Sequence, residues 1–220
     1  MTLSIRAVGG AWRAATVLVL AGFACGMCGC AVAGWAGKVV GADRTVVTVD
    51  AEYEGLGGRD LAILVATDGT TSAQFPRAGA RAARVMGAEI ARNVPATKLI
   101  EPDRIDTFVD ANPYWHSMPY SDVMDALGAD RLLVVDVSRF TTRDQEHRHL
   151  WRGSIAADVH VVERESSNPD AYAYSQAVRA VYPQRPVPLL EHDEQTIQFG
   201  LLRTFSERAA SLFYRHKEVR

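Results

Sequence analysis

Three polar residues on two neighbouring apolar segments are the strongest candidates for chemistry. Asp136 interrupts a run of hydrophobic residues, and Asp158 and His160 lie two positions apart in the next alternating segment. Residues i and i+2 of a strand share one face, so pairing of the two segments would bring the three side chains together. Carboxylates beside an imidazole could serve a hydrolase or hold a metal ion. The alternative is a polar sheet face whose side chains pair with one another.

An aromatic loop between residues 112 and 120 is the best candidate for contact with a partner. Its candidate binding residues are Tyr114, Trp115, His116, Met118 and Tyr120. Aromatic side chains with a methionine among them are typical of interface anchors. The alternative is that Trp115 fills the hydrophobic core.

Further catalytic signals are few. His147 and His149 could share a metal ion on one side of a strand, but a solvated, charged hairpin tip is the competing interpretation. The sequence contains no G-x-S-x-G, H-E-x-x-H or G-x-x-x-x-G-K motif. We therefore predict a protein that is not an enzyme, with no catalytic residue, no cofactor and no metal site.

The first thirty residues have the order of an export signal. They contain every cysteine of the chain, at Cys25, Cys28 and Cys30. Arg6 and Arg13 precede an apolar run over residues 14–24, and small residues follow it. The apolar run is shorter than the ~20 residues that span a bilayer. The segment therefore predicts secretion.

The end of this segment resembles the lipobox of bacterial lipoproteins. In that family a diacylglycerol is attached to a cysteine, and the chain is cut immediately before it. We favour Cys30, which follows Gly29, and Cys25, which follows Ala24, is the alternative. An uncleaved anchor, a signal peptide cut farther on and a metal cluster of the three cysteines are the competing interpretations.

The composition predicts one ordinary domain beyond the signal. About 190 residues follow Cys30, and 48% of the whole chain is hydrophobic. The net charge of −2 gives no electrostatic support for nucleic-acid binding. We predict a signal segment over residues 1–30, a flexible tether over 31–44 and a single globular domain over 45–217.

Hydrophobic periodicity predicts an α+β domain, or two-layer α/β domain, with a mixed sheet, a C-terminal antiparallel meander and helices mainly on one face. The expected strands cover residues 45–51, 60–67, 97–100, 130–140, 150–163 and 171–182. The expected helices cover residues 77–93, 103–109, 121–128 and 193–217.

The order of these elements, with Leu127-Gly128-Ala129-Asp130 leading into an apolar strand, resembles a known periplasmic α/β domain. It is shared by the curli-secretion lipoprotein, the lipoprotein activators of penicillin-binding proteins and the N-terminal domain of TolB. Other details resemble uncharacterised lipoproteins of planctomycete-type bacteria. The resemblance implies a binding or assembly domain at the cell envelope.

The sequence thus predicts a lipid-anchored envelope protein that binds another protein or an envelope polymer. The alternatives are a lipid-anchored hydrolase or metal enzyme that uses Asp136, Asp158 and His160, and a self-assembling structural subunit. Its expected partners are the membrane, through lipid, and a protein or a second copy. Because Ala31, and not aspartate, follows Cys30, we expect the outer membrane, with the domain facing the periplasm.

Overall fold

The structure, a computed structural model, describes residues 46–219. The lipidation candidates Cys30 and Cys25 and the predicted tether therefore lie outside the described residues. The strands are β1 (Val46–Val49), β2 (Asp60–Thr67), β3 (Lys98–Leu99), β4 (Arg131–Arg143), β5 (Leu150–Glu163), β6 (Tyr172–Pro188) and β7 (His216–Val219). β1 pairs with β7 in a two-stranded sheet.

The remaining five strands form one mixed sheet in the order β3-β2-β4-β5-β6. β2 runs parallel to both of its neighbours, and β4, β5 and β6 form the antiparallel meander that the sequence predicts. The register shifts after Val137, where Ser138 is the extra residue of β4. The α+β class is confirmed.

Five helices cover the sheet. They are α1 (Gly69–Gln74), α2 (Ala78–Asn93), α3 (Pro102–Ala111), α4 (Tyr120–Leu127) and α5 (Glu194–Ala210). α3 begins with proline, and α4 ends at Gly128, whose φ of 64° suits a residue without a side chain. Within the described range, no helix has the length and apolar character that crossing a membrane requires.

The two faces of the sheet carry two different cores. The long helices α2 and α5 bury Met86, Ile90 and Phe205 against one face. The shorter helices α3 and α4 cover the opposite face near β2 and β4, where Leu127 and Trp115 are buried. Most of the helical surface thus lies on one face, as predicted. The second face is covered only in part, so the far ends of β4 and β5 lie open.

Three elements differ from the predictions. α1 lies in a segment for which no helix was expected. Asp68 accepts a hydrogen bond from the Thr71 amide (2.8 Å) and so caps this short helix. β6 continues to Pro188, beyond the expected end of this strand at residue 182. The last helix ends at Ala210 instead of residue 217, since a 3₁₀ turn over Ser211–Phe213 leads into β7.

The start of α5 offers a test of local stability. Asp193 Oδ1 accepts a hydrogen bond from the Thr196 amide (2.6 Å), which satisfies one of the free donors of the first turn. Asp193→Ala is expected to lower the free energy of unfolding, because the Thr196 amide loses its acceptor. Urea denaturation would measure this loss, and Asp193→Ser should retain most of the stability.

Candidate functional site

The pairing of β4 with β5 brings the three polar candidates together. Asp136 and Asp158 are directly opposite each other in the antiparallel ladder. His160 lies next to them, with its Nε2 3.7 Å from Asp136 Oδ2. This distance is too long for a hydrogen bond but close enough for electrostatic attraction once the imidazole is protonated. The predicted convergence is therefore present in the structure.

Two tyrosines form a wall beside these residues. The His160 ring stacks on Tyr172 of β6, with centroids 3.9 Å apart and planes inclined by 9°. The hydroxyls of Tyr172 and Tyr120 lie 2.7 Å apart and share a hydrogen bond. Tyr120 starts α4, so the helix on this face and the meander meet here. We call Asp136, Asp158, His160, Tyr120 and Tyr172 the acidic–aromatic patch.

The sheet beside the patch is lined by short side chains. Ser175 of β6 is paired with His160, and Ala177 with Asp158. Directly paired residues of an antiparallel sheet project on the same face. The side chains that lie beside the carboxylates on β6 are therefore short. Asp158, Ser175 and Ala177 are exposed. A ligand can therefore approach both carboxylates from the solvent.

Burial and the neighbouring charges change the acidity of the patch. Burial raises the pKa of Asp136, and the charge of Asp158 raises it further, whereas His160 and His116 oppose the rise. Burial and the hydrogen bond to Tyr172 raise the pKa of Tyr120, which keeps its hydroxyl neutral at physiological pH. The patch thus contains a carboxylate whose charge is stabilised less by the folded protein than by water.

The raised pKa of Asp136 predicts a pH effect on stability. Folded Asp136 retains its proton to higher pH than the unfolded chain does, so this residue favours folding at acidic pH and loses that contribution as pH rises. Asp136→Asn should therefore gain stability relative to the wild type as pH rises through and above the ordinary pKa of aspartate, which is about 4. Thermal unfolding across this range would measure the difference, with the exposed Asp103→Asn as the control.

The residues of the aromatic loop differ in their exposure to solvent. Tyr114 is 76% exposed, whereas Trp115 is only 5% exposed and packs in the core beneath α4. Trp115 is therefore a core residue and not a surface contact, which corrects its place among the binding candidates. Met118 packs against the same core. His116 is exposed and close enough to Asp136 to affect its pKa, so the loop borders the patch.

Tyr172 was missed by the sequence analysis. It lies just after a turn, and only its stacking on His160 reveals its role. The single signal in the sequence was the start of a third meander strand, which had to pair with the strand that carries His160. That signal places Tyr172 near His160 but does not give the contact.

The histidine pair at the β4–β5 tip does not join the patch. His147 and His149 contact each other edge-on, with centroids 5.9 Å apart. Asp144 accepts hydrogen bonds from the His147 and Glu146 amides, which organise the tip as a turn. Among residues 46–219, no group of three or more His, Cys, Asp or Glu side chains is arranged to hold a metal ion.

The chemistry available to the patch is recognition of positive charge. Two adjacent carboxylates attract an ammonium or guanidinium group, and an aromatic face can stack on the same cation. The Nδ1 atom of His160 is buried and has no hydrogen-bond partner in the described part of the chain. The imidazole is thus held mainly by its stacking on Tyr172.

Comparison with known proteins found no matching family model and no matching curated protein. Similar solved structures exist. PelC from Paraburkholderia phytofirmans, solved as a dodecamer, shares 11% identity over 77% of this chain and 98% of its own, with a TM-score of 0.43. Lipoprotein GNA1162 from Neisseria meningitidis shares 12% identity over 55% of this chain and 78% of its own, with a TM-score of 0.36.

A hypothetical protein from Chlamydia trachomatis, CT253, is similar to the same extent. It shares 12% identity over 69% of this chain and 95% of its own, with a TM-score of 0.42. The similar structures thus include a protein that is named as a lipoprotein. The resemblance to the curli-secretion, activator and TolB domains stays a prediction. With identities this low, the function of this chain has to be argued from its own residues.

Proposed function

We propose that this protein is a lipid-anchored binding module of the bacterial cell envelope, whose acidic–aromatic patch binds a partner protein or envelope polymer through a positively charged group. One observation carries the proposal. Asp136 and Asp158 are adjacent on an open sheet face, beside the 44% exposed Tyr172. The lipid anchor rests on the signal segment and the cysteines that follow it.

The arrangement favours binding because it leaves negative charge available to a ligand. The Asp136 side chain remains 45% exposed, and no arginine or lysine within residues 46–219 forms an ion pair with Asp136 or Asp158. A cationic group that enters the patch would relieve the repulsion between the two carboxylates. It would also contact the tyrosine faces, which cost little conformational entropy to order.

Site-specific photo-crosslinking in the native bacterium tests this proposal. A benzoylphenylalanine in place of Tyr114, at the edge of the patch, should give an adduct with an envelope component. The same group in place of Phe199, a 47% exposed residue of α5, should give none or a different one. An adduct of twice the chain mass would favour the self-assembling alternative. Equal adducts from both positions would contradict a specific patch.

Intact mass of the membrane-extracted protein tests the anchor. We expect the mass of a chain that starts at Cys30 plus lipid, and we expect Cys30→Ala to lose that species. A lipidated chain that starts at Cys25 would support the lipid anchor but place it on Cys25 instead of Cys30. An unlipidated chain that Cys30→Ala leaves unchanged would overturn the anchor.

A second candidate is hydrolysis, and one observation favours it. Asp136 has a raised pKa and lies 3.7 Å from an imidazole that is largely buried. A carboxyl group with a raised pKa beside an imidazole can act in proton transfer to a bound substrate. If p-nitrophenyl esters or glycosides are cleaved, Asp136→Asn and His160→Gln should both abolish the activity. Activity that survives both substitutions would assign it elsewhere.

A further inference from the structure

Two arginines lie beside the acidic–aromatic patch on the same face of the sheet. Ala156 of β5 is paired with Arg139 of β4 on one side and with Arg179 of β6 on the other, so all three side chains share a face. Ala156 is two residues from Asp158 on the same strand, so it faces the same side as Asp158. We call Arg139 and Arg179 the basic row, and Asp136 and Asp158 the acidic row.

The irregularity of β4 at Ser138 is what turns Arg139 to this face. Without an extra residue, alternation from Asp136 would point Arg139 toward the core under α2 and α5. The register shift at Ser138 reverses the alternation, so Arg139 faces the solvent and Phe140 packs against that core. The Ser138 hydroxyl donates to Ala156 O (3.2 Å), which holds the extra residue against β5. The bulge thus brings a positive charge next to the acidic row.

The basic row is available to a ligand. Both of its arginines are exposed, and among residues 46–219 neither guanidinium forms an ion pair or a hydrogen bond. The two rows are about 7 Å apart, because they are separated by two residues along a strand. Ala156 lies between the arginines and Ala177 lies beside Asp158, and each of these side chains is only a methyl group. A ligand can therefore contact both rows at once.

The basic row determines which cationic partner the acidic row prefers. A uniformly basic ligand that covers both rows is attracted by the two carboxylates but repelled by the two arginines. A ligand that carries a cation over the acidic row and an anion over the basic row is attracted by both. Repulsion of this kind is a common source of specificity. The face thus favours a partner in which positive and negative groups are close together.

We propose that the two rows together bind an extended protein segment that carries a basic and an acidic side chain two residues apart. This inference rests on the proposed function and names the chemistry of its partner. Side chains two residues apart on an extended segment project on the same side and are about 7 Å apart, which matches the separation of the rows. The basic side chain lies over the acidic row, and the acidic side chain lies over the basic row.

The length of the ligand is part of the argument. In a free amino acid the ammonium nitrogen and the carboxylate carbon are about 2.5 Å apart, which is too short to reach both rows. An extended segment has the required spacing and can lie along the strands over the short side chains of Ala156 and Ala177.

Calorimetric titration of the full-length protein in detergent with defined peptides tests this inference. In the first peptide, lysine, threonine, glutamate and threonine repeat three times, so basic and acidic side chains alternate at a spacing of two residues. The second peptide is hexalysine. Arg139→Gln/Arg179→Gln should weaken binding of the alternating peptide at least fivefold, because two attractive charges are lost. The same variant should bind hexalysine more tightly than the wild type, because two repulsive charges are lost.

The spacing and the position of the charges each have a control. A peptide of the same composition, with its lysines and glutamates in separate blocks, should bind the wild type at least fivefold more weakly than the alternating peptide. Arg148→Gln/Arg185→Gln removes two exposed arginines elsewhere and should change the affinity for the alternating peptide by less than twofold.

Several results would overturn the inference. These are an unchanged affinity of the Arg139→Gln/Arg179→Gln variant for the alternating peptide, equal binding of the block peptide, and no binding of the alternating peptide at all. Binding of phosphatidylethanolamine vesicles in place of the alternating peptide would assign the face to a lipid headgroup and overturn it too. The proposed function fails separately, because it requires only that neutralising Asp136 and Asp158 weakens binding of hexalysine.

Discussion

An Asp136→Asn/Asp158→Asn double variant is expected to bind a hexalysine peptide at least tenfold more weakly than the wild type. Both carboxylates face the open side of the sheet, and in the described residues only the side chains of His160 and His116 lie near enough to Asp136 to offset its charge. Removing two negative charges from one partly buried site should cost about 1.4 kcal/mol of binding free energy, which corresponds to tenfold. Isothermal titration calorimetry at low ionic strength would measure the change.

The matched control removes the same amount of charge elsewhere. Asp103→Asn/Glu191→Gln also neutralises two exposed acidic residues, and it should change the affinity by less than twofold. The wild-type affinity should fall as salt rises, since partly exposed ion pairs are screened. Equal affinity of the wild type and the patch variant would show that the two carboxylates do not recognise positive charge.

Replacing Arg131 with methionine is expected to lower the free energy of unfolding by about 3 kcal/mol, because the carboxylate of Glu165 and the backbone carbonyl of Gly55 lose their charged donor. The Arg131 side chain is only 5% exposed. Its guanidinium donates to Glu165 through two bonds of 2.5 and 2.6 Å, and to Gly55 O at 3.0 Å. It thus ties the loop before β2 and the turn after β5 to the start of β4.

The pH dependence of this effect provides its control. Arg131 lowers the pKa of Glu165 to about 2, so this pair contributes stability above the ordinary pKa of glutamate and loses it as pH falls toward 2. Arg131→Met should therefore be most destabilising near neutral pH and less so in acid. Glu165→Gln should cost less at neutral pH, because the half-exposed partner can be replaced by water. A constant loss at every pH would contradict the ion-pair explanation.

The sequence predicted the central strands well because their signal is local. The apolar start of β4 and the alternation of β5 determine which residues share a face, so strand periodicity alone was enough to group Asp136, Asp158 and His160. Trp115 could not be placed in the same way. An aromatic residue in a loop is compatible with the surface or the core, and only the packing of α4 on β4 decides.

The short strand β3 shows a different limit of sequence analysis. The segment over residues 97–100 reads as a strand, but only Lys98 and Leu99 pair with β2. The length of a strand depends on where its neighbour turns away, which local propensity does not encode. The predicted end of α5 was wrong for a similar reason. The apolar stripe of the sequence continues to Phe213, but the backbone leaves the α-helix after Ala210.

The most direct test of the central claim combines the crosslink with the charge substitution in living cells. Benzoylphenylalanine at Tyr114 is introduced into the wild type and into Asp136→Asn/Asp158→Asn, with equal lipidated protein confirmed by immunoblot. If the acidic–aromatic patch is the binding surface, the envelope adduct seen with the wild type should fall at least tenfold in the variant. An undiminished adduct would show that the partner is held elsewhere on the molecule and would contradict the account.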